Sequence, residues 1–362
     1  EHQVYESMQT CLACKACTTA CPIKVDIPTY RSRFLEQYHT KNKRPLGDYV
    51  VAMVEQLGMY TSKFAWLSNT VTQLAPSQWF IKKVFGMVNM PKVHAYDISA
   101  LTNIKGVKAW HNTSYKQMSK LDKKRHPVIV QDVFSSCYDL PQMKEIMSCL
   151  VNMGFTPLVM PIMPSGKPLY VKGFLKAFDR QASKVVKHLK VVEDQGFELI
   201  AIDPSVGLTY RDEYCQRLCT AMVPSVLLLQ EWLIHHLDQI QLPKTDNQLK
   251  SKVSLLGHCS ENALITMSLD HWRTIFAKFS LDLDIPAVGC CGMAGTFGHE
   301  DKHQEISNKL YEMSWQRAAN ESVKSAGTVL ATGYSCRSQI VQKSGIQPQH
   351  PLNYINQLFN EA

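Results

Sequence analysis

No stretch of this sequence approaches the roughly 20 consecutive apolar residues that a membrane helix needs. The longest runs, around Val226–Leu229 and Ile285–Cys291, are broken by Gln230 and Glu231 or by glycines. The N-terminus, Glu1-His2-Gln3, has no basic region followed by an apolar one, so no secretion signal is visible. Basic residues are in small excess, 39 Lys+Arg against 31 Asp+Glu, and the resulting +8 is spread over a large surface. Nucleic-acid binders usually show a clustered basic face, so no nucleic-acid partner is expected. The chain also lacks G-x-G-x-x-G after a strand, G-x-x-x-x-G-K-[ST], H-E-x-x-H and G-x-S-x-G, which removes the common nucleotide-binding, zinc-protease and serine-hydrolase signatures. Ser165-Gly166-Lys167 lacks the upstream glycine of a phosphate loop.

What the chain has is cysteine, twelve in 362 residues. With no secretion signal the expected compartment is reducing, and clustered cysteines there bind metal more often than they pair. The expected location is the cytoplasm or the inner face of the membrane. The first residue is not Met, and a dense cysteine motif follows within ten residues. That start is read as a piece of a larger protein continuing upstream. Hydrophobic residues at 45% and charged residues at 19% allow a large core, and the length suggests about two to three domains.

Residues 1–95 read as helical with proline punctuation: Asp26-Ile27-Pro28 marks a turn before a mixed segment at Tyr30–His39. Leu46–Met59 and Gln78–Val88 carry apolar residues at threes and fours. Periodicity fades over 96–126, read as a linker whose Lys120, Lys123, Lys124 and Arg125 form a solvated charged surface. Beyond it, β-branched runs at Val128–Val133, Pro157–Met160, Leu199–Ile202, Val253–Leu256, Pro286–Gly289 and Thr328–Ala331 alternate with helical patterns at Leu140–Met153, Gly173–Glu193 and Glu300–Ala319. That alternation predicts βαβ units on a parallel sheet. It also repeats: Cys137 matches Cys259, Pro164-Ser165-Gly166 matches Cys290-Cys291-Gly292, and Asp203-Pro204-Ser205-Val206 matches Gly333-Tyr334-Ser335-Cys336. The offsets are 122 (137 to 259), 126 (164 to 290) and 130 (203 to 333). Two α/β modules, 127–245 and 250–362, look like duplicated copies, the first depleted of cysteine.

Two constellations carry chemistry. Cys11-x2-Cys14-x2-Cys17-x3-Cys21-Pro22 has the bacterial ferredoxin spacing for a [4Fe–4S] cluster. Short spacing lets one loop wrap a cubane while backbone N–H groups point at the sulfurs; a structural zinc site normally uses two separated pairs. In two-cluster ferredoxins the fourth cysteine serves the other cluster. Either Cys21 closes this one or a remote cysteine does, Cys215 and Cys219 being candidates if they share one helix face. The second constellation is Cys259, Cys290, Cys291 and Cys336, each expected at the C-terminal end of a strand, where ligands bind in open α/β sheets. Adjacent cysteines suit a multinuclear cluster, and a second iron–sulfur cluster is expected; zinc, a redox disulfide or unrelated core thiols are the alternatives. Glycines at 289, 292, 295 and 298 let the backbone approach closely. His258, Arg337, His299 and Glu300 flank the site and, taken singly, read as solvated surface. Cys137 reads as a vestige and Cys149 as a core thiol.

The cysteine run followed by paired modules resembles the iron–sulfur part of FAD-linked oxidoreductases. Gly257-His258-Cys259-Ser260, Gly289-Cys290-Cys291-Gly292 with Met293 to Gly298, and Gly333-Tyr334-Ser335-Cys336-Arg337 look most like bacterial D-2-hydroxyglutarate dehydrogenases. The layout is shared with iron–sulfur subunits of anaerobic glycerol-3-phosphate dehydrogenase and heterodisulfide reductase. The resemblance implies an N-terminal all-α ferredoxin-like domain (1–95) followed by a degenerate and a cysteine-complete Cys-Cys-Gly module. It implies Cys11, Cys14, Cys17 and Cys21 as one ligand set and Cys259, Cys290, Cys291 and Cys336 as another. It further implies an FAD domain upstream that oxidises D-2-hydroxyglutarate to 2-oxoglutarate, and electron flow into this chain. Pro164-Ser165 and Val206 depart from the pattern in module one. The rivals are a separate electron-transfer subunit docking on a flavoprotein, and a metal-stapled interaction domain.

Overall fold

A computed structural model describes residues 1–244, 252–325 and 327–360. The first 85 residues form seven helices: α1 His2–Gln9, α2 Ala16–Ala20, α3 Ile27–Lys41, α4 Leu46–Ala52, α5 Val54–Ser62, α6 Ala65–Gln73 and α7 Ala75–Phe85. Local chemistry sets their ends. Asp26 accepts from the Thr29 amide at 3.1 Å with Pro28 in the first turn, so α3 begins there and takes in the whole of Tyr30–His39. Helix α7 stops at Gly86, whose φ of 64° is left-handed.

The remainder is helix and parallel sheet, an α/β arrangement. Five strands, β1 Lys108–Ala109, β2 Val128–Val130, β3 Leu158–Val159, β4 Leu199–Ala201 and β5 Val226–Leu228, form one sheet in the order β1-β3-β2-β4-β5, every pairing parallel. Both faces are covered, so the strands are apolar throughout rather than alternating. Ile129, Val159 and Ile200 pack on the side of helix Leu140–Asn152; Val128, Val130 and Leu199 pack on the side of helix Leu175–Asp194.

A second parallel pair, β6 Val253–Leu256 and β7 Thr328–Ala331, is extended by single bridges, Ser254 to Asp284 and Leu330 to Gln349. The order 284-β6-β7-349 matches β3-β2-β4-β5. Val253, Leu255 and Leu330 share one buried cluster with Ile129 and Ile200.

Several expectations change. Pro286–Gly289 is not a strand; the chain bridges at Asp284 instead, two residues earlier. Pro286 has no amide to donate to a ladder, and Gly289 has no side chain to pack on one. The Glu300–Ala319 helix starts at Gln304, passes through a π turn at Tyr311–Trp315 and runs on to Lys324. Within 96–126, the expected linker, β1 pairs with β3 and Leu101 and Trp110 are buried; two residues are too few to show a period. The junction expected at 245–250 lies outside the described residues. Among the described residues no helix is long and apolar enough to cross a membrane.

Candidate functional site: two adjoining cysteine sets

Cys11 to Lys15 form an irregular loop in which Ala13 (φ 52°) and Lys15 (φ 64°) are left-handed, a strained state for residues with a Cβ. This winds the chain so that Cys17 enters α2 directly. Lys15, between two cysteines of the run, is buried at 2% exposure, its ammonium 2.7 Å from Asp26 and 2.6 Å from Asp212. Burial alone would lower its pKa, but Glu213, Asp212 and Asp26 outweigh that and raise it.

Arg31 on α3 is also buried, donating to the Met8 and Val171 carbonyls at 2.8 and 2.9 Å. Among the described residues it forms no ion pair, and the charge of Cys11 acts on it more than that of any carboxylate. Burial lowers its pKa; Cys11 opposes the shift. Neither buried cation was legible in the sequence, where each reads as one more surface charge.

Cys21 lies at the other end of the run and is partly exposed. The amides of Val25, Ile23 and Lys24 aim at its sulfur and lower its pKa. Lys24, with φ 52°, makes the turn that gathers them.

The second set converges. Cys259 opens the helix Cys259–Leu264 just after β6, and Cys336 sits in the first turn of helix Tyr334–Ser344 after β7. The thiols form a chain: Cys290 accepts from Cys259 and Cys291, and the Gly292 amide donates to Cys290 Sγ at 3.4 Å. These donors push Cys290 well down against the opposing effect of burial. Cys259 is pushed up by donating to Cys290 and by burial, and Cys291 by its links to Cys290 and Cys336 and by burial. Gly292 has φ 87°, and a Cβ there would lie 2.3 Å from the Ser307 carbonyl oxygen, so only glycine fits.

The two sets adjoin. Helix α2 packs against Cys259–Leu264. Burial raises the Cys14 pKa, the Ala16 amide opposes it, and Cys290 acts on it ahead of Cys11 and Cys17. Among the described residues no three Cys, His, Asp or Glu side chains are arranged as the shell of a single metal ion.

The flanking residues are not solvated surface. His258, Arg337, His299 and Glu300 are all buried. Arg337 donates to Asp139 at 2.6 Å and to the Ala331 and Thr332 carbonyls at 2.8 Å each. Glu300 meets Lys172 at 2.8 Å. Asp139 lies 198 residues from Arg337 and Lys172 lies 128 from Glu300, separations that local pattern cannot reveal. Cys215 lies in the short helix Glu213–Arg217, whereas Cys219 falls beyond its end and is exposed, so the two do not share a helix face. Cys137 and Cys149 are buried, and burial pushes the Cys137 thiol up to about 11.

At the matching place in the first sheet, the amides of Ser165 and Gly166 and the Ser165 hydroxyl all donate to Glu55 of α5, at 2.8, 2.8 and 2.7 Å. A carboxylate thus fills the position where Gly292 faces a cysteine sulfur. Asp203 caps the following helix and also accepts from the Tyr334 amide at 2.9 Å, tying the two strand-end turns together. Asp132 is fully buried beside them, its carboxyl pushed up to about 7 by burial and by the charge of Asp203.

No protein-family model matches the chain. It is 34% identical over 357 residues to D-2-hydroxyglutarate dehydrogenase of Haemophilus influenzae, covering 97% of this chain and 35% of that protein. It is 35% identical over 365 residues to D-2-hydroxyglutarate dehydrogenase of Escherichia coli, covering 99% of this chain and again 35% of that protein. One component of the anaerobic glycerol-3-phosphate dehydrogenase of Escherichia coli is 24% identical over 405 residues, the match covering 97% of this chain and 98% of that component. Among solved structures, an aspartate racemase homologue from Pyrococcus horikoshii OT3 covers 66% of the chain at 14% identity with a TM-score of 0.25, which carries nothing about the fold. The chain therefore has dehydrogenases and a dehydrogenase component as its homologues along almost its whole length, and it spans about a third (35%) of the D-2-hydroxyglutarate dehydrogenases it matches.

Proposed function

We propose that this chain is the iron–sulfur electron-transfer portion of a flavin-dependent 2-hydroxyacid dehydrogenase, which oxidises D-2-hydroxyglutarate to 2-oxoglutarate at an FAD-bearing region upstream. Cys11, Cys14, Cys17 and Cys21 hold a [4Fe–4S] cluster, and Cys259, Cys290, Cys291 and Cys336 hold a second iron–sulfur cluster. When bound, such groups supply one-electron transfer at a potential set by their surroundings. The carrying observation is that helix α2, which holds Cys17 of the first set, packs directly on the helix Cys259–Leu264, which opens with Cys259 of the second. Adjoining sulfur sets suit a relay.

The donors fit anionic iron–sulfur groups. All eight are thiols, Arg31 supplies a buried positive charge beside Cys11, and amides face Cys21 and Cys290. The chain's own residues orient the sulfurs, exclude water from Cys291 and Cys336, and offset negative charge. No described residue has a claim as general base, so hydroxyacid chemistry belongs to the flavin region.

The same reading divides the chain into a helical part (1–95) and two duplicated modules (127–245 and 250–362), of which the first holds no cluster. Glu55 in the Ser165–Gly166 cradle supports that, because its carboxylate leaves no room for a sulfur ligand there. A cytoplasmic location, or one at the inner face of the membrane, is part of the same reading, since clustered free cysteines suit a reducing compartment. A second reading, a free-standing subunit that docks on a separate flavoprotein, is favoured by the 98% coverage of the glycerol-3-phosphate dehydrogenase component.

Iron and acid-labile sulfide quantification, with low-temperature EPR of the dithionite-reduced chain, tests the proposal. Roughly eight irons and two signals are expected, about four irons per cubane; iron-free protein holding stoichiometric zinc overturns it. Cys290→Ser should abolish one signal while the fold persists. General unfolding would instead mark a structural metal.

A further inference from the structure

Lys15 stands between two cysteines of the first set, yet its side chain's partners lie outside the run. Its ammonium is 2.7 Å from Asp26, 2.6 Å from Asp212 and 3.4 Å from the Thr29 hydroxyl. Asp212 belongs to the side of the first sheet, joining the helix Pro204–Arg211 that follows β4 to the helix Glu213–Arg217. Gln216, one turn on, donates to Asp212 at 2.7 Å and to Asp26 at 3.1 Å. One amide thus ties together the two carboxylates that meet the lysine.

A second line of contacts leaves the run in the other direction. Lys15 is the residue before α2, and α2 packs on the helix Cys259–Leu264. That helix packs in turn on Pro204–Arg211, whose last residue precedes Asp212. The contacts close a ring through α2, Cys259–Leu264, Pro204–Arg211, Asp212 and Lys15. Cys17 lies in α2, Cys259 opens the helix packed on it, and Cys14 adjoins Lys15 in the chain. Without the lysine the ring is open on the side of the first sheet.

Two physical points favour register over bulk stability. A buried ion pair regains in attraction only about what its charges lose on leaving water, and an apolar side chain of like volume often stabilises as well. What the pair adds is a choice of one arrangement. The backbone gives the second point: Ala13 at φ 52° and Lys15 at φ 64° are both left-handed, a state that persists only where surrounding contacts dictate it. Cys14 lies between them, so the direction of its side chain depends on both turns being kept.

We propose that Lys15 is a positioning residue: clamped by Asp212 and Asp26, it keeps Cys14 and Cys17 in register with the second cysteine set, so that the first sheet fixes how the two sets are spaced. Its consequence for electron transfer rests on the relay reading; the clamp itself belongs to the folded chain.

Two measurements test it. On the iron-free chain, iodoacetamide labelling resolved by peptide mass mapping reads how open each thiol is. Lys15→Met and Asp212→Asn should each raise the labelling rate of Cys14 and Cys17 by at least about tenfold relative to that of Cys259, because a loop that loses its buried charge pair opens locally. The double variant should be no more open than Lys15→Met, since both changes remove one interaction. Arg217→Met is the control: it breaks the 2.8 and 2.5 Å contacts with Asp179 at the far end of the same helix, and should lower the urea midpoint without moving the labelling ratio. On the iron-loaded chain, EPR of the fully reduced protein reads the magnetic interaction between the two sets, which depends on their separation and orientation. That interaction should be altered in Lys15→Met, or the first signal selectively lost, and kept in Arg217→Met. A wild-type labelling ratio in whichever of Lys15→Met and Asp212→Asn folds, an equal rise in Arg217→Met, an unaltered magnetic interaction, or loss of the whole fold in both variants overturns the proposal. Absence of iron and sulfide from the unaltered chain would instead defeat the relay reading, and labelling would then judge the clamp by itself.

Discussion

The Gly166 amide donates to a carboxylate oxygen of Glu55 at 2.8 Å, in the same relation that the Gly292 amide has to the sulfur of Cys290. One strand-end cradle is filled from within the sheet module by a thiol, the other from helix α5 by a carboxylate. Glu55 is fully buried, and burial raises its pKa while its three donors oppose the shift. Removing it strands those donors away from water.

Glu55→Ala is therefore expected to cost about 3 kcal/mol of stability, read as a lower urea midpoint, with Glu55→Gln closer to wild type because one acceptor oxygen remains. A midpoint for the alanine variant equal to wild type would show that the cradle is satisfied by other means.

Asp132 sets a pH dependence. Its carboxyl is raised from 3.8 to about 7, so between these values the folded chain holds a proton that the unfolded chain has lost. The native state then binds more protons, and stability falls as pH rises from about 4 to about 7 and levels off above. The effect is at most about 4 kcal/mol. Urea midpoints at pH 5 and pH 8 should differ in the unaltered chain. In Asp132→Asn that difference should shrink, and an unchanged slope would place the titration elsewhere.

Cys21 can be assigned by comparing two serine variants. If it closes the first cluster, Cys21→Ser and Cys14→Ser should each remove the same EPR signal and roughly four irons. Loss of the second signal in Cys21→Ser would instead give it to the other cluster.

Arg31 is the buried positive charge on which Cys11 acts. Replacing it by methionine withdraws that charge, which makes adding an electron nearby harder. The first cluster's midpoint potential should fall by tens of millivolts, while Arg31→Lys should retain most of the wild-type value. Spectroelectrochemical titration reads both; an equal shift in the two variants would point to lost hydrogen bonds to Met8 and Val171 rather than to charge.

Much of this was legible in the residues because it depends on local spacing. The Cys11–Cys21 run, the Asp26–Pro28 helix start and the apolar strands β2, β4, β6 and β7 are dictated by neighbours a few positions apart. The matching of 164–166 to 290–292 was also visible, since it needs only alignment. The tertiary structure decided the rest. β1 is two residues long and exists only because β3 lies beside it. Arg337 and Asp139, 198 residues apart, become a buried pair because β7 ends next to the helix at Leu140. The adjacency of Cys14 to Cys290 depends on how α2 packs on a helix some 240 residues further along. Glu55 and Arg31 look like ordinary surface charges on amphipathic helices until the segments at Ser165–Gly166 and at Met8 and Val171 close over them. Sequence determines cysteine spacing, helix starts and apolar runs, because these depend on neighbours along the chain; which sulfur faces which, and which charges lose their water, is set by packing over long range.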